Sequence, residues 1–262
     1  MSYTFLTVER YGPVARVTLN RPDVRNAFNE HVIADLHAWA KQARDDDSLR
    51  VVVFAGAGKV FSAGADAAWM AKMAGYSHDD NVRDARAAAE MFLAINSIPA
   101  IVIARIQGAA LGGGSGLAAV CDYVIAENDA IFGFTETKLG ILPAMISPYV
   151  LQKIGASAAR DLFLTGRRFD AHKAMAIGLV HEVVASTELD AAVDRYVAEA
   201  LSASPTAVAR AKGLIQNVLG RMPGDVVGIT SDAIAAQRVS PEGQEGLKAF
   251  LDKRTPAWTV KL

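Results

Sequence analysis

Two short, almost wholly apolar segments, RVVVFAG at 50–56 and AIVIARI at 100–106, constrain the fold of this chain more than any other feature. Each has the length of one strand, and each is followed by a glycine-containing loop and then by a helical pattern. Strands that are apolar on both faces are typical of parallel sheets covered by helices on both sides. The alternation of strand, loop and helix therefore predicts an α/β fold wound from successive βα units.

The flanking segments complete this picture. FLTVER and VARVTLN alternate in polarity around the turn Tyr11-Gly12-Pro13, which predicts a hairpin. Asn29 is placed to cap a helix, and DYVIAE and AIFGF are predicted strands. We therefore expect a mixed-strand core in residues 1–190 and a helical region in residues 191–262. Helices after the strands are predicted near 144–153, 157–164, 170–177, 187–203, 206–219, 225–237 and 241–252.

Composition excludes several functional classes. The formal net charge is -1, with no long run of one sign, which argues against a nucleic-acid or anionic-membrane partner. The single cysteine, Cys121, allows no internal disulfide and is expected to be a buried thiol, which fits a reducing compartment. The amino terminus has no secretory pattern, and no apolar run has the length of a membrane span. These features predict a cytoplasmic protein.

The histidines indicate no metal chemistry. All five are scattered, and none pairs with a cysteine or carboxylate at a metal-ligand spacing, so no metal site is predicted. His181, in GLVHEVV, is expected to be an exposed residue within a strand.

Two glycine loops, FSAGAD at 61–66 and QGAALGGGSG at 107–116, are the most informative functional signals. Each follows a predicted strand and precedes a helix, where free backbone amides and the helix dipole favour negative charge. Neither loop has a dinucleotide or phosphate-loop pattern. Taken singly, either loop could serve only a turn or tight helix packing. Two of them on successive strands can aim two amides at one point, as stabilisation of an enolate or tetrahedral oxyanion requires.

These loops also resemble a known family. FSAGAD, followed by QGAALGGGSGLAAVCDYVIAENDAIFGFTETKLGILP, resembles the signature of the crotonase (enoyl-CoA hydratase/isomerase) superfamily, and RPDVRNAFN and FLDKRTPAW are similar to the ends of its members. The resemblance implies an α/β fold with a crotonase-like ββα spiral core and a C-terminal helical trimerisation region. It implies a homotrimer or a hexamer (a dimer of trimers), an acyl-CoA substrate, and no permanently bound cofactor, coenzyme A being part of the thioester.

The resemblance also assigns residues to roles. It implies that the backbone amides of Ala65 and Gly113 form the oxyanion hole and that Glu136 moves the proton. Partly apolar surroundings, with Phe132 and Phe134 nearby in sequence, would raise the pKa of such a glutamate towards the working pH. The residues assigned to coenzyme A are Arg25, Ala27, Ala63, Ala65 and Asp66, together with Phe250 and Lys253 of the last helix, often in a neighbouring subunit.

One position departs from the family pattern. Hydratases of the family usually have a second glutamate three residues after the second oxyanion glycine, where this chain has Gly116. A single carboxylate leaves open a hydratase, a 3-enoyl to 2-enoyl-CoA isomerase, or a non-catalytic acyl-CoA binder. The stretches FGFTETKLGILPAMISPYVLQKIG and LTGRRFDAHKAMAIGLVHEVV look most like bacterial 3-methylglutaconyl-CoA hydratases of leucine breakdown, which also lack that glutamate. This favours hydration.

The acyl-binding residues are less well defined by the sequence. Trp69, Met70 and Met73 follow the first loop and could line an acyl pocket or belong to the core. Ser147 could orient a substrate carboxylate or cap a helix. Candidate cations for an acidic substrate are Arg83, Arg86 and Lys138.

Overall fold

The computed structural model describes residues 3–260. The strands of this range are β1 (Leu6–Tyr11), β2 (Val14–Leu19), β3 (Val51–Gly56), β4 (Ile101–Ile106), β5 (Ala109–Leu111), β6 (Tyr123–Glu127), β7 (Ile131–Gly133), β8 (Arg168–Asp170) and β9 (Glu182–Val184). Its α-helices are α1 (Glu30–Arg44), α2 (Ala67–Met73), α3 (His78–Asn96), α4 (Gly113–Val120), α5 (Ser147–Thr165), α6 (Ala171–Ala176), α7 (Leu189–Ser202), α8 (Pro205–Val218), α9 (Val227–Arg238) and α10 (Pro241–Leu251).

The larger sheet has the strand order β1-β2-β3-β4-β6-β9. The hairpin of β1 and β2 is antiparallel, as predicted, and every later pairing in this sheet is parallel. The apolar run of β3 is explained by burial on both faces. Val51 and Val53 pack with α7, whereas Val52 and Phe54 belong to the core shared with α1, α3 and α4. This two-sided burial is the arrangement expected of a parallel sheet.

The smaller sheet contains β5, β7 and β8, with β7 parallel to β5 and antiparallel to β8. Single parallel bridges extend it from Ala110 to Ser62 and from Ala65 to Phe28. The chain therefore alternates between layers: β3 leads to residues 62–65, β4 leads to β5, and β6 leads to β7. A helix follows each of these pairs. This is the ββα spiral that the sequence resemblance implied.

The non-helical backbone of Gly155 (φ 69°, ψ 168°) divides α5 into two helical segments, where separate helices were expected. The structure differs from the sequence predictions at β5, β8 and His181. β5 and β8 were not predicted. His181 precedes β9 and is not part of it, so that prediction was wrong. It is exposed, but its ring Nδ1 accepts a hydrogen bond from the Val124 amide at 3.0 Å.

The helices after residue 189 follow the predicted pattern. α7 packs on the larger sheet through Leu189, Val193 and Val197, and α8, α9 and α10 pack mainly on one another. Within residues 3–260, no helix combines the length and apolar character that a membrane crossing requires.

Candidate active site

The two glycine loops lie side by side at the edge of the smaller sheet, where Ser62 forms a parallel bridge with Ala110. The Ser62 amide donates to the Ala109 carbonyl at 3.0 Å, and the Leu111 amide donates to the Ser62 carbonyl at 3.0 Å. A Cβ atom at Gly64 would lie 2.9 Å from the Leu111 carbonyl oxygen and 3.8 Å from the Gly112 Cα. Glycine at 64, with φ 93°, is therefore required for this close approach.

Both predicted oxyanion amides are free. Gly113 is the first residue of α4, where backbone amides have no partner within the helix. Neither its amide nor that of Ala65 donates a hydrogen bond to any atom of residues 3–260. Ala65 is exposed and Gly113 is half-buried, so a ligand oxygen can approach both residues. The α4 dipole adds to the attraction for negative charge at Gly113.

Glu136 faces these loops. It begins the 3-10 turn Glu136–Leu139 just after β7, and its Oε1 lies 3.3 Å from the place that a Cβ of Gly112 would occupy. Its other oxygen, Oε2, is buried and has no hydrogen-bond partner among residues 3–260. Burial raises the pKa of Glu136 above its ordinary value, against a smaller lowering by its own backbone amide. A carboxyl group in this state is suited to accept and return a proton.

The arrangement defines the chemistry available here. Gly112 is the common neighbour: Gly64 lies on one side of it, the Gly113 amide follows it, and the Glu136 carboxyl group faces it. Two free amides can stabilise a developing oxyanion, and one buried carboxyl group can transfer a proton to or from an adjacent carbon. Such a site can convert a thioester to its enolate.

The comparisons with known proteins agree with this chemistry. A family model described as enoyl-CoA hydratase/isomerase matches residues 9–261. The chain belongs to the enoyl-CoA hydratase/isomerase family. Proteins of this family act on coenzyme A thioesters, and the chain is an enzyme of the family, so the hypothesis of a non-catalytic binder is not retained.

Relatives of this enoyl-CoA hydratase/isomerase family member match over nearly their full length. An enoyl-CoA hydratase from Shewanella pealeana is 38% identical with a TM-score of 0.93, covering 97% of this chain and 96% of that one. AtuE of Pseudomonas aeruginosa is 36% identical with a TM-score of 0.94, covering 98% and 100%. A Mycobacterium tuberculosis protein named "Probable enoyl-CoA hydratase echA8" is 34% identical over 99% of each chain.

The residues assigned to coenzyme A lie partly around the first loop. The Arg25 carbonyl accepts the Ala63 amide at 2.9 Å, and the Ala27 carbonyl accepts Arg21 Nη1 at 2.6 Å. The Asp66 side chain pairs with Arg21 at 2.8 Å and caps α2. Burial alone would raise the pKa of Asp66. The hydrogen bonds from Arg21 and from two backbone amides outweigh this effect and lower the pKa below its ordinary value. The Asp66 carboxylate is thus engaged in holding the loop.

Phe250 and Lys253 belong to the C-terminal helical region. They lie at and just beyond the end of α10, which packs on α8 and α9. Phe250 is 82% exposed, so its ring has little contact with its own chain.

Asn26 and Lys59 were missed by the sequence analysis. Asn26 is 1% exposed, and its Nδ2 donates to the Ala57 and Val60 carbonyls at 2.8 Å each, which ties RPDVRNAFN to the segment before the first loop. Asn26 has a φ of 53°, a conformation that asparagine tolerates better than most residues, so the asparagine itself was the available sequence signal. Lys59 and Arg25 are exposed and form no ion pair within residues 3–260, so both cations are available to a phosphate.

The acyl-pocket candidates divide into core and surface residues. Trp69 is buried and its Nε1 donates to Asp84 Oδ1 at 3.3 Å, while Met73 packs against the core. Met70 is half-buried. The Ser147 hydroxyl donates to the Ala144 carbonyl at 2.8 Å, as a helix-start residue does.

The three candidate cations are exposed. Arg83 pairs with Asp80, and the stem of Lys138 lies against Gly166. Arg86 forms no ion pair within the described range.

Other reactive groups are not arranged for catalysis. Cys121 is buried, as predicted, and burial raises the pKa of its thiol, which disfavours the nucleophilic thiolate. Among residues 3–260, no group of three or more His, Cys, Asp or Glu side chains is positioned to hold a metal ion.

Proposed function

We propose that this protein hydrates an α,β-unsaturated acyl-CoA. The observation that supports this most is the Glu136 carboxyl group: its buried Oε2 has no hydrogen-bond partner among residues 3–260, and its Oε1 faces Gly112, the residue before Gly113. A buried acceptor without a partner is costly, and a substrate water or carbon-bound proton would supply the missing partner.

The proposed reaction needs one carboxylate. The thioester oxygen accepts hydrogen bonds from the Ala65 and Gly113 amides, which draws electron density from the β-carbon. Glu136 removes a proton from water as the water oxygen bonds to the β-carbon, and the amides stabilise the resulting enolate. The protonated Glu136 then delivers its proton to the α-carbon. The carboxylate is regenerated, and one water has been added.

The proposed substrate is 3-methylglutaconyl-CoA, which would place the enzyme in leucine degradation. The support is the resemblance of residues 132–155 and 164–184 to hydratases for that ester, which also lack the glutamate that most family hydratases have at the position of Gly116. We further propose that coenzyme A lies along Arg25, Ala27, Ala63, Ala65 and Asp66, with Lys59 as an additional phosphate contact.

The proposed assembly is a homotrimer or a dimer of trimers in the cytoplasm, without nucleic-acid or membrane partners. Support comes from the exposed apolar side chains on the last helices, among them Val239, Leu247, Phe250 and Leu251. In such an assembly, Phe250 and Lys253 would complete the coenzyme A site of a neighbouring subunit.

A second candidate is a 3-enoyl to 2-enoyl-CoA isomerase. It is favoured by Gly116, because Ile146 fills the space where a second carboxylate would begin. In that reaction Glu136 takes a proton from the α-carbon and returns it to the γ-carbon or the reverse, without water.

Isotope labelling distinguishes the two reactions. The purified protein is incubated in oxygen-18 water with 3-methylglutaconyl-CoA, crotonyl-CoA or a 3-enoyl-CoA, and the products are analysed by mass spectrometry. We expect a hydroxyacyl-CoA with one heavy oxygen, formed fastest from the methylglutaconyl ester. A product of unchanged mass with a migrated double bond would make the protein an isomerase.

A further inference from the structure

Ile146 occupies the space beside Gly116. A Cβ atom at position 116 would lie 2.1 Å from Ile146 Cγ2 and 3.3 Å from Phe92 Cζ. No side chain fits there unless Ile146 moves. Ile146 is 2% exposed, and its carbonyl accepts the Tyr149 and Val150 amides in the first turn of α5, which fixes its backbone. Phe92, from α3, is also 2% exposed.

This apolar pair lies close to the reacting groups. Gly116 follows Gly112 by four residues, and its amide donates to the Gly112 carbonyl at 3.0 Å, so it sits one turn further along α4. Gly116 faces Ile146, whereas Gly112, which caps the start of α4, faces the Glu136 carboxyl group. The apolar Ile146 side chain and the polar Glu136 carboxyl group therefore contact neighbouring positions at the start of the same helix.

We infer that Ile146 determines which acyl groups this site accepts, by packing against an alkyl branch on the β-carbon of the thioester. The inference rests on the proposed function, since it takes the bound ligand to be an enoyl-CoA held by the Ala65 and Gly113 amides. The β-carbon is two bonds from the carbonyl carbon held there, which brings its substituents to the wall beside Glu136. Glycine at 116 is needed so that Ile146 can form that wall. The substrate class is a β-branched enoyl-CoA.

A matched pair of esters tests this inference. Crotonyl-CoA and 3-methylcrotonyl-CoA differ by one β-methyl group. The ratio of their kcat/KM values therefore measures how well the site accommodates that methyl group. One methyl or methylene contact in an apolar pocket changes specificity about 10–200-fold. We expect Ile146→Ala to lower the relative preference for the methylated ester by about tenfold. Ile154→Ala is the control, because Ile154 is buried in the same core, eight residues further along in α5.

Binding in the Glu136→Gln background separates this inference from the proposed reaction. In the Glu136→Gln protein, calorimetry gives the dissociation constants of crotonyl-CoA and 3-methylcrotonyl-CoA, and their ratio replaces the ratio of kcat/KM values. If the wild type hydrates neither ester, the hydratase proposal fails, yet the binding ratio with and without Ile146→Ala still decides the role of Ile146. An unchanged ratio in Ile146→Ala, or an equal change in Ile154→Ala, would overturn the inference.

A second pair of variants tests the packing itself. Gly116→Ala should lower the melting temperature by about 2–12 °C, because the new methyl group overlaps Ile146. Adding Ile146→Ala should recover part of that loss. A Gly116→Ala protein as stable as the wild type would show that Ile146 does not occupy this space.

Discussion

Replacing Glu136 by glutamine should slow the enzyme and stabilise it at neutral pH. The side chain keeps its size, but the ionisable group is removed from a place where its Oε2 has no partner within residues 3–260. Because burial raises the pKa of Glu136 in the folded protein, the folded state binds a proton more tightly than the unfolded chain does. The neutral form is favoured by the fold, and the charged form is disfavoured.

The sign of the pH dependence follows from this difference. A group whose pKa is raised by folding stabilises the folded state fully below its unfolded pKa, which is 4.5 for glutamate. This stabilisation is lost as the pH rises through the folded pKa. The pH-dependent advantage of Glu136→Gln over the wild type should therefore grow above that pH, by at most about 1.4 kcal/mol per pH unit, and then level off. The height of the plateau is set by the difference between the folded and unfolded pKa of Glu136, at about 1.4 kcal/mol for each unit.

Two assays at matched protein concentration check the prediction. Urea denaturation from pH 4 to 8 should give the stability difference, and the loss of conjugated-thioester absorbance should show turnover reduced about 10²–10⁴-fold. Glu199→Gln, which alters an exposed carboxylate, is the control for charge alone. A Glu136→Gln protein with full turnover, or with the wild-type dependence of stability on pH, would refute the assignment of Glu136 as the buried acid–base group.

Three further predictions concern other parts of the site. Ala65→Pro removes one oxyanion donor and should lower kcat about 10²–10³-fold in the hydration assay, whereas Ala65→Gly should retain activity. Asn26→Ala leaves the Ala57 and Val60 carbonyls without their partner and should lower the free energy of unfolding by about 1–3 kcal/mol in urea titrations; unchanged stability would contradict its bridging role. Phe250→Glu should shift the mass by light scattering below that of the wild-type assembly, and a wild type that is itself monomeric would exclude the shared coenzyme A site.

Much of the fold could be predicted because local patterns and tertiary packing agree. The run at 50–56 is apolar on every residue, and the sheet buries both of its faces. Asn29 accepts the Val32 amide, as a capping residue should. β5 and β8 could not be predicted, because β5 lies inside a glycine-rich loop, β8 has a single apolar residue (Phe169), and both are held in place by pairing with β7. The non-helical Gly155 falls between the two predicted helices at 144–153 and 157–164.

The site was predictable in its backbone and less so in its side chains. The loops indicated amides near a common point, and the structure brings the two loops side by side. The filling of the space at Gly116 by Ile146 could not be foreseen, since the residues are 30 positions apart and meet only through the packing of α4 on α5. The unpaired Oε2 of Glu136 is likewise a property of the folded surroundings.

The pairing of Ser62 with β5 and of Ala65 with Phe28 has a consequence for how this protein can change over generations. In the proposed mechanism the groups that polarise the carbonyl belong to the main chain, and backbone hydrogen bonds hold the loops that carry them. Most point mutations alter side chains and leave such donors in place, so most of them would leave the proposed carbonyl activation intact. The fate of the proposed enolate would instead depend on the few residues at positions 116, 136 and 146. A new reaction on this scaffold could therefore arise from very few substitutions, without rebuilding the part that makes the thioester reactive.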